Sequence, residues 1–487
     1  MKTVEQLSVK YKVAFGTAAQ AASKLAVALL SIFTLRYSTQ YLGADVYGQY
    51  AIVVAYVTIF TLLTDLGLTA ISSREIAKHP EDTDKIIGNS LAMRVLLSLV
   101  ITPLIALGGW WLYAAKPGQV KVGIALMVLT LVFGSIQSVV SALFTAKYRN
   151  DIPAALAVIN KLAYLVCIVA AGSLGLGFYG FVYAAIITAL ITAAIGALWA
   201  ARRIHLRPMF HFDHWKIMAK TSIPLGVIQI INLLYYKVDT VMLSVMRTPR
   251  EVGLYTIAYG IIDVIVTVPS MFMTSLMPSL AIADKQRLEA LVQRAFYLLA
   301  FAAVPIGVGG ALLSHEIIPL ISTNEFLEAV TPLAILALGA GFSYLNAVFG
   351  FASVAVNKQS RLLKISIMTL ALNVIINLFT IPHYGVAGAA AATLITELIA
   401  CAGVYLVFSR QTGIRVHFTV LWKLAAAGLA MIPAKWAVDW LGLPLLANFL
   451  TAGVIISGIY LGLAVALRAL PQDLQPIIRR LLLLRRK

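Results

Sequence analysis

Charge is what this sequence has least of. Charged residues make up 12% of the 487, where ordinary soluble domains carry roughly 25%. Cysteine is nearly absent: only Cys167 and Cys401 occur, both inside apolar runs, which excludes a disulfide framework or a zinc cluster. Long polar connections are missing as well. No loop exceeds about twenty residues, so no soluble catalytic domain fits, and the chain is not expected to be an enzyme. The one glycine-rich stretch, "GSLGLG" at 172–177, follows no strand and opens no phosphate-cradling helix; it reads as a turn between two helices.

Apolar sequence is abundant, at 61% of the chain, in runs of twenty or more residues that recur almost without pause. That length crosses a ~30 Å hydrocarbon core as a helix. Fourteen spans are expected, at 13–35, 47–70, 88–112, 120–145, 153–175, 178–201, 221–246, 252–280, 290–314, 329–356, 361–381, 386–409, 418–440 and 445–469. Barrel strands would alternate with period two, and these runs do not. The fold class is therefore an all-α polytopic membrane protein. The first run is too long for a signal-peptide core and no small-residue cleavage site follows it, so it counts as the first span.

The 38 Lys and Arg exceed the 20 Asp and Glu, for a net charge of +18. In a soluble protein this would suggest nucleic acid; here the charge is sorted by side. The even-numbered connections hold Arg74, Lys78, Lys85, Lys147, Arg149, Arg202, Arg203, Arg207, Lys216, Lys220, Lys285, Arg287, Lys358, Arg361, Lys364, Arg410 and Arg415. Lys2, Lys10, Lys12 and the C-terminal "RRLLLLRRK" add to them. The other side has Lys116, Lys121, Arg247 and Arg250, with Arg36 at a helix end and an acidic loop of Glu316, Glu325 and Glu328. Positive-inside bias predicts both termini in the cytoplasm, anionic phospholipid headgroups as contacts and no nucleic-acid partner. The His-rich "IHLRPMFHFDHW" (204–215) reads as an interfacial loop with a Trp anchor.

A duplication is visible within the spans. "VYGQYAI" (46–52) matches "EVGLYTI" (251–257) at Gly48/Gly253 and Tyr50/Tyr255, a shift of 205. "FYGFVYAA" (178–185) matches "HYGVAGAA" (383–390) at the same shift. Equal offsets at distant sites predict two parallel six-helix copies, packed about an axis along the membrane normal, with two helices left over. The expected division is 1–210 for helices one to six, 211–415 for seven to twelve, and 416–487 for the last two and a basic tail.

In two-lobed transporters the substrate site lies near the midplane at the repeat interface. Residues at i, i+3, i+7, i+11 and i+14 share a helix face. Thr58, Thr61, Asp65, Thr69 and Ser72 have that spacing, and so do Thr256, Tyr259, Asp263, Thr267 and Ser270. Each copy is thus expected to line a cavity with hydroxyls around a carboxylate. Gln229, Asn232, Tyr236 and Asp239 share an arc of about 80° in the seventh span. Lys237 lies ~200° round from Asp239, so the two cannot neutralise each other locally. Lys24, Arg94, Lys161 and Glu397 are the other mid-span charges. Each costs roughly 2.5–3.5 kcal/mol at the bilayer centre, which makes a functional role the default. Lys24, Arg94, Lys161 and Lys237 suit an anionic headgroup; Asp65, Asp239, Asp263 and Glu397 suit a coupling proton or sodium ion. Arg36, Lys423, Lys435 and Asp439 lie nearer span ends, within snorkelling reach of water, and read as structural.

"YLGADVYGQYAI", "DLGL…REIAK", "DTVMLS…EVGLYTIAYGI…MPSL" and "YGVAGAAAATLITE" together resemble the polysaccharide flippases of the Wzx type, in the multidrug/oligosaccharidyl-lipid/polysaccharide exporter superfamily. The resemblance spans nearly the whole chain. It implies a V-shaped pair of six-helix lobes and alternating access. It implies flipping of an undecaprenyl-pyrophosphate-linked oligosaccharide, such as an O-antigen unit, across the inner (plasma) membrane, driven by an ion gradient. A single copy would act near the polysaccharide polymerase machinery. The cationic cavity it implies is matched by Lys24, Arg94, Lys161 and Lys237. Two relatives are the alternatives: the lipid II flippase, whose groove draws arginines from the first, second and eighth helices, and a multidrug/cation antiporter with acidic sites such as Asp65 and Asp263.

Overall fold

The computed structural model describes residues 2–205, 207–358 and 361–470, with side chains from residue 15 onward. The side chains of Lys2, Lys10 and Lys12 and the basic tail "RRLLLLRRK" lie outside the described residues. Helices and short turns account for the described fold, which contains no strand among these residues. The first helices are α1 (Lys2–Asp65), α2 (Leu68–Lys78), α3 (Thr83–Leu112), α4 (Gly118–Met127), α5 (Leu129–Ala146), α6 (Asp151–Ser173), α7 (Gly177–Ala201) and α8 (Phe212–Met246). Then follow α9 (Pro249–Ala281), α10 (Lys285–Val304), α11 (Gly310–Leu312), α12 (Ser314–Ile321), α13 (Val330–Ala355), α14 (Leu362–Thr412), α15 (Thr419–Leu429), α16 (Met431–Asp439) and α17 (Leu445–Ala466). Eleven stretches among the described residues are long and apolar enough to cross a membrane. This is the all-α polytopic membrane fold that the composition requires.

Two of the eleven are double. A straight 64-residue α1 would reach roughly 96 Å, some three hydrocarbon thicknesses, so it has to turn back. It does so at Gly43, whose φ of 69° is open to glycine and strained for other residues. On the way in, Ser23 donates to the Ala154 carbonyl (2.7 Å) and Tyr37 to that of Val169 (3.3 Å); on the way back, Tyr50 and Tyr164 share a 2.6 Å hydrogen bond. α14 repeats the device at Gly385 (φ 55°), where Asn373 Nδ2 meets Thr396 Oγ1 across the hairpin at 3.4 Å. The stretch 418–440, expected as one span, is α15 and α16, of 11 and 9 residues, interrupted at Ala430. After α10, Pro305 cannot donate to the helical ladder, and residues Pro305–Gly309 widen into a π turn.

The order of elements carries the duplication. Shifting α3, α5, α6 and α7 by 205 residues lands them on α10, α13 and the two limbs of α14. Gly48 and Gly253, equated by that shift, touch: a Cβ on Gly253 would lie 3.1 Å from the Gly48 Cα. The contact is of the self-complementary kind made by equivalent positions of two copies.

The chain divides into two compact units, Met1–Gly253 and Leu254–Lys487. In the first, α8 packs with α1, α2 and α3. In the second, Phe296, Phe349 and Phe408 form an aromatic core, the exposed Phe418 packs edge-on against Phe296, and Tyr460 of α17 donates to the Phe301 carbonyl at 2.8 Å. Lys435 does not snorkel. It is 4% exposed, and its Nζ donates to Glu316 Oε1 at 2.7 Å and to Asp439, fastening α16 to α12.

Candidate transport site

The helical register that would align the first polar stripe ends at its carboxylate. Leu66 (φ 42°) and Gly67 (φ 78°) break the chain between α1 and α2. Thr58, Thr61 and Asp65 therefore lie on one segment, and Thr69 and Ser72 on the next. The break exists to let α8 in: a Cβ on Gly67 would sit 2.7 Å from the Ser222 carbonyl, and one on Gly226 2.6 Å from the Leu66 carbonyl carbon. Backbone crosses backbone there, which only two glycines allow.

The broken turn presents Asp65 to three donors. The Gly67 N–H donates to Oδ2 at 3.1 Å, and the Thr69 hydroxyl donates to Oδ1. Arg94 Nη1 of α3 donates to the same Oδ1 at 2.6 Å. Its other nitrogens are also engaged: Nε with Ser90 Oγ at 3.2 Å and Nη2 with Thr69 Oγ1 at 3.0 Å. Ser72 continues the network to Ser90 at 3.1 Å. The Arg94 side chain is 1% exposed and that of Asp65 14%. Two mid-span charges with different expected roles are thus a single buried ion pair, held by hydroxyls from α2 and α3. Sequence reading named both residues and missed the pairing.

The remaining cations are placed differently. Lys24 is exposed on the first limb of α1, and among the described residues it makes no hydrogen bond or ion pair. Lys161 is half-buried on α6, its Nζ 5.9 Å from the centre of the Tyr164 ring. Lys237 is half-buried on α8, where Asp239 is 2% exposed, Gln229 half-buried, and Asn232 and Tyr236 exposed. Within the second unit the stripe runs along one continuous helix, α9. Tyr259 is buried there with its ring 5.7 Å from Tyr255, whereas Asp263 is exposed and its carbonyl accepts from Thr267 at 2.9 Å. Glu397 is 6% exposed and accepts from Ser343 at 2.8 Å. The two copies share the pattern of residues, on a broken helix in the first and a continuous one in the second.

The loop that carries Trp215 is fastened from inside: Nε1 donates to Asn89 Oδ1 at 3.1 Å, and the same oxygen takes the His211 N–H at 2.9 Å. With Met209 N–H on the Gly88 carbonyl at 3.0 Å, the loop is pinned to the start of α3. Asn89 gave no signal in the sequence, because a lone Asn at the head of an apolar run fits any cap or turn.

Spans that double back, a duplicated helical order and charges inside the lipid-spanning segments define a polytopic membrane transporter. The family model for polysaccharide biosynthesis proteins matches residues 13–283, more than half of the chain, and the protein belongs to that family, within the exporter superfamily whose motifs it resembles. The model for the lipid II flippase MurJ matches residues 251–459. Among curated proteins, the chain is 19% identical over 378 residues to the probable low-salt glycan biosynthesis flippase Agl15 of Haloferax volcanii, covering 75% of this chain and 77% of that one. It is 28% identical over 168 residues to the probable flippase AglR of the same organism, covering 33% and 35%. The fold is that of lipid II flippase MurJ in an inward closed conformation (TM-score 0.77, 16% identity, 93% of this chain and 99% of that one). An inward-facing multidrug resistance MATE family transporter is also similar (TM-score 0.60, 13% identity, 81% and 98%).

Proposed function

We propose that this protein flips an undecaprenyl-pyrophosphate-linked oligosaccharide from the inner to the outer leaflet of the cytoplasmic membrane, by ion-coupled alternating access, for surface polysaccharide synthesis. Lys24 carries the reading. It sits in the middle of an apolar limb, exposed and without a partner among the described residues. Acyl chains cannot satisfy an ammonium there, whereas a passing pyrophosphate can. Lys161 and Lys237 are the further cations proposed to hand the headgroup along. Asp65, Asp239, Asp263 and Glu397 are the proposed coupling carboxylates. A proton on Asp65 would leave Arg94 an uncompensated buried cation, so binding of an ion and rearrangement of α2 against α3 become one event.

Lys24→Ala and Lys237→Ala are expected to reach the membrane at wild-type levels while surface polysaccharide in a flippase-deficient strain falls at least tenfold. Full restoration of polymer by both variants would sink the cationic path. In proteoliposomes, Asp65→Asn and Asp263→Asn are expected to move lipid-linked oligosaccharide at a rate that no longer responds to a proton or sodium gradient. A gradient response equal to wild type removes both residues from coupling.

The match of the MurJ model to residues 251–459 supports lipid II as the second reading. Rescue of a strain depleted of its lipid II flippase, with no effect on surface glycan, would select it.

A further inference from the structure

At one end of the first unit, α5, α6 and α7 leave a cavity of about 620 Å³ that none of the transport residues touches. Its floor is apolar, made by Phe144, Ile152, Ala155 and Trp199, and its rim carries Arg149, Arg202 and Arg203. The rim is built by a specific turn. After α5 the chain enters the left-handed region at Tyr148 (φ 56°), with Tyr148 N–H on the Thr145 carbonyl (3.0 Å) and Arg149 N–H on the Phe144 carbonyl (2.8 Å). This double closure of a helix end fixes Arg149 beside the floor. Asp151 then takes the Arg149 guanidinium in two parallel bonds, both of 2.9 Å. That pair neutralises itself, and the exposed Arg202 and Arg203 keep their charge.

We propose that this cavity binds the headgroup of an anionic phospholipid, with its glycerol and first methylenes on the floor. The rim's remaining charge, from Arg202 and Arg203, attracts either anion, and two features favour a lipid over a free phosphate. The floor offers apolar contact that inorganic phosphate cannot use. Finally, the rim lies among further basic residues: His205, two residues beyond Arg203, meets Asp84 of α3 at 3.2 Å beside Lys85, and basic clusters at span ends attract anionic headgroups. Trp199, half-buried at the cavity wall, is the residue type that settles at that depth.

The test is native mass spectrometry of the full chain in detergent, titrated with palmitoyl-oleoyl phosphatidylglycerol and, separately, with the matching phosphatidylcholine. One phosphatidylglycerol is expected to bind in preference to phosphatidylcholine, and Arg202→Ala/Arg203→Ala is expected to weaken it by about tenfold or more, given the size of one basic residue's attraction to an anionic surface. Lys147→Ala removes an exposed charge from the same end of the molecule outside the cavity and is expected to change nothing. Ala155→Trp fills the floor without altering charge and is expected to abolish the preference, which keeps the test decisive should the double variant misfold. Unchanged binding in both cavity variants overturns the site. An equal loss in Lys147→Ala reduces it to diffuse surface charge, and displacement by inorganic phosphate at matching concentration overturns the lipid as its occupant.

Discussion

Arg94→Ala is expected to remove roughly 3–5 kcal/mol of stability, because it strips the counter-charge from a buried carboxylate. The loss is not that of an ordinary mid-span cation. All three guanidinium nitrogens donate within the protein, to Asp65, Ser90 and Thr69. Truncation would orphan Asp65 at the mouth of a helix break that α8 crosses, so the damage should spread to that crossing. Unfolding of the purified protein in detergent measures it. Arg94→Met with Asp65→Leu removes both charges, and exchanging a buried pair for apolar residues is often neutral or stabilising. The double variant should therefore melt within a few degrees of wild type, yet fail in transport if the pair is the coupling element. A stable Arg94→Ala protein would mean that water reaches the pair. A double variant that transports normally would leave it a scaffold and nothing more.

Gly48→Ala should be at least as damaging. A Cβ there would fall 1.8 Å from the Pro249 carbonyl oxygen and 2.4 Å from its carbon. Neither atom belongs to a side chain that could rotate away, so α1 and α9 would have to separate. Overpacking typically costs 1–3 kcal/mol where side chains can yield, and a backbone clash lies at or beyond the upper end. The expected readout is loss of the monodisperse peak in fluorescence-detected size exclusion. Gly260→Ala is the control: nothing lies within 4 Å of its Cβ position, and alanine is the better helix former. If Gly48→Ala purifies as well as Gly260→Ala, the close crossing is absent in the membrane.

Much of the fold was legible because lipid permits so few solutions. Apolar runs of span length gave the helices, and two pairs of segments at one offset gave the duplication. The reversal points were harder to see. Gly43 and Gly385 break two of the longest helices in a single residue each, and a composition window that averages over twenty residues smooths that away. For the site, residue types were readable and partnerships were not. Asp65 and Arg94 are 29 positions apart on different helices, and no periodicity within one helix can show that their side chains meet. The simplest rule would have found them: a buried cation and a buried anion in neighbouring spans neutralise each other before serving anything else. Lys435 was legible as structural but its partner was not: Glu316, read as part of an acidic loop, is 4% exposed and binds it.

The seat of α8 has a consequence for anyone who recombines these proteins. By repeat count α8 opens the second copy, yet Gly226 rests on Leu66, Ser244 bonds Tyr113 at 2.8 Å, and Lys116 reaches the Arg247 carbonyl, all inside the first compact unit. The connection at 202–211 is thus no boundary between the compact units, which divide at Gly253. A chimera joined at that connection would marry a foreign α8 to a notch cut for the native one, whereas a junction beyond Gly253 would keep both that notch and the Gly48 crossing with their native partners.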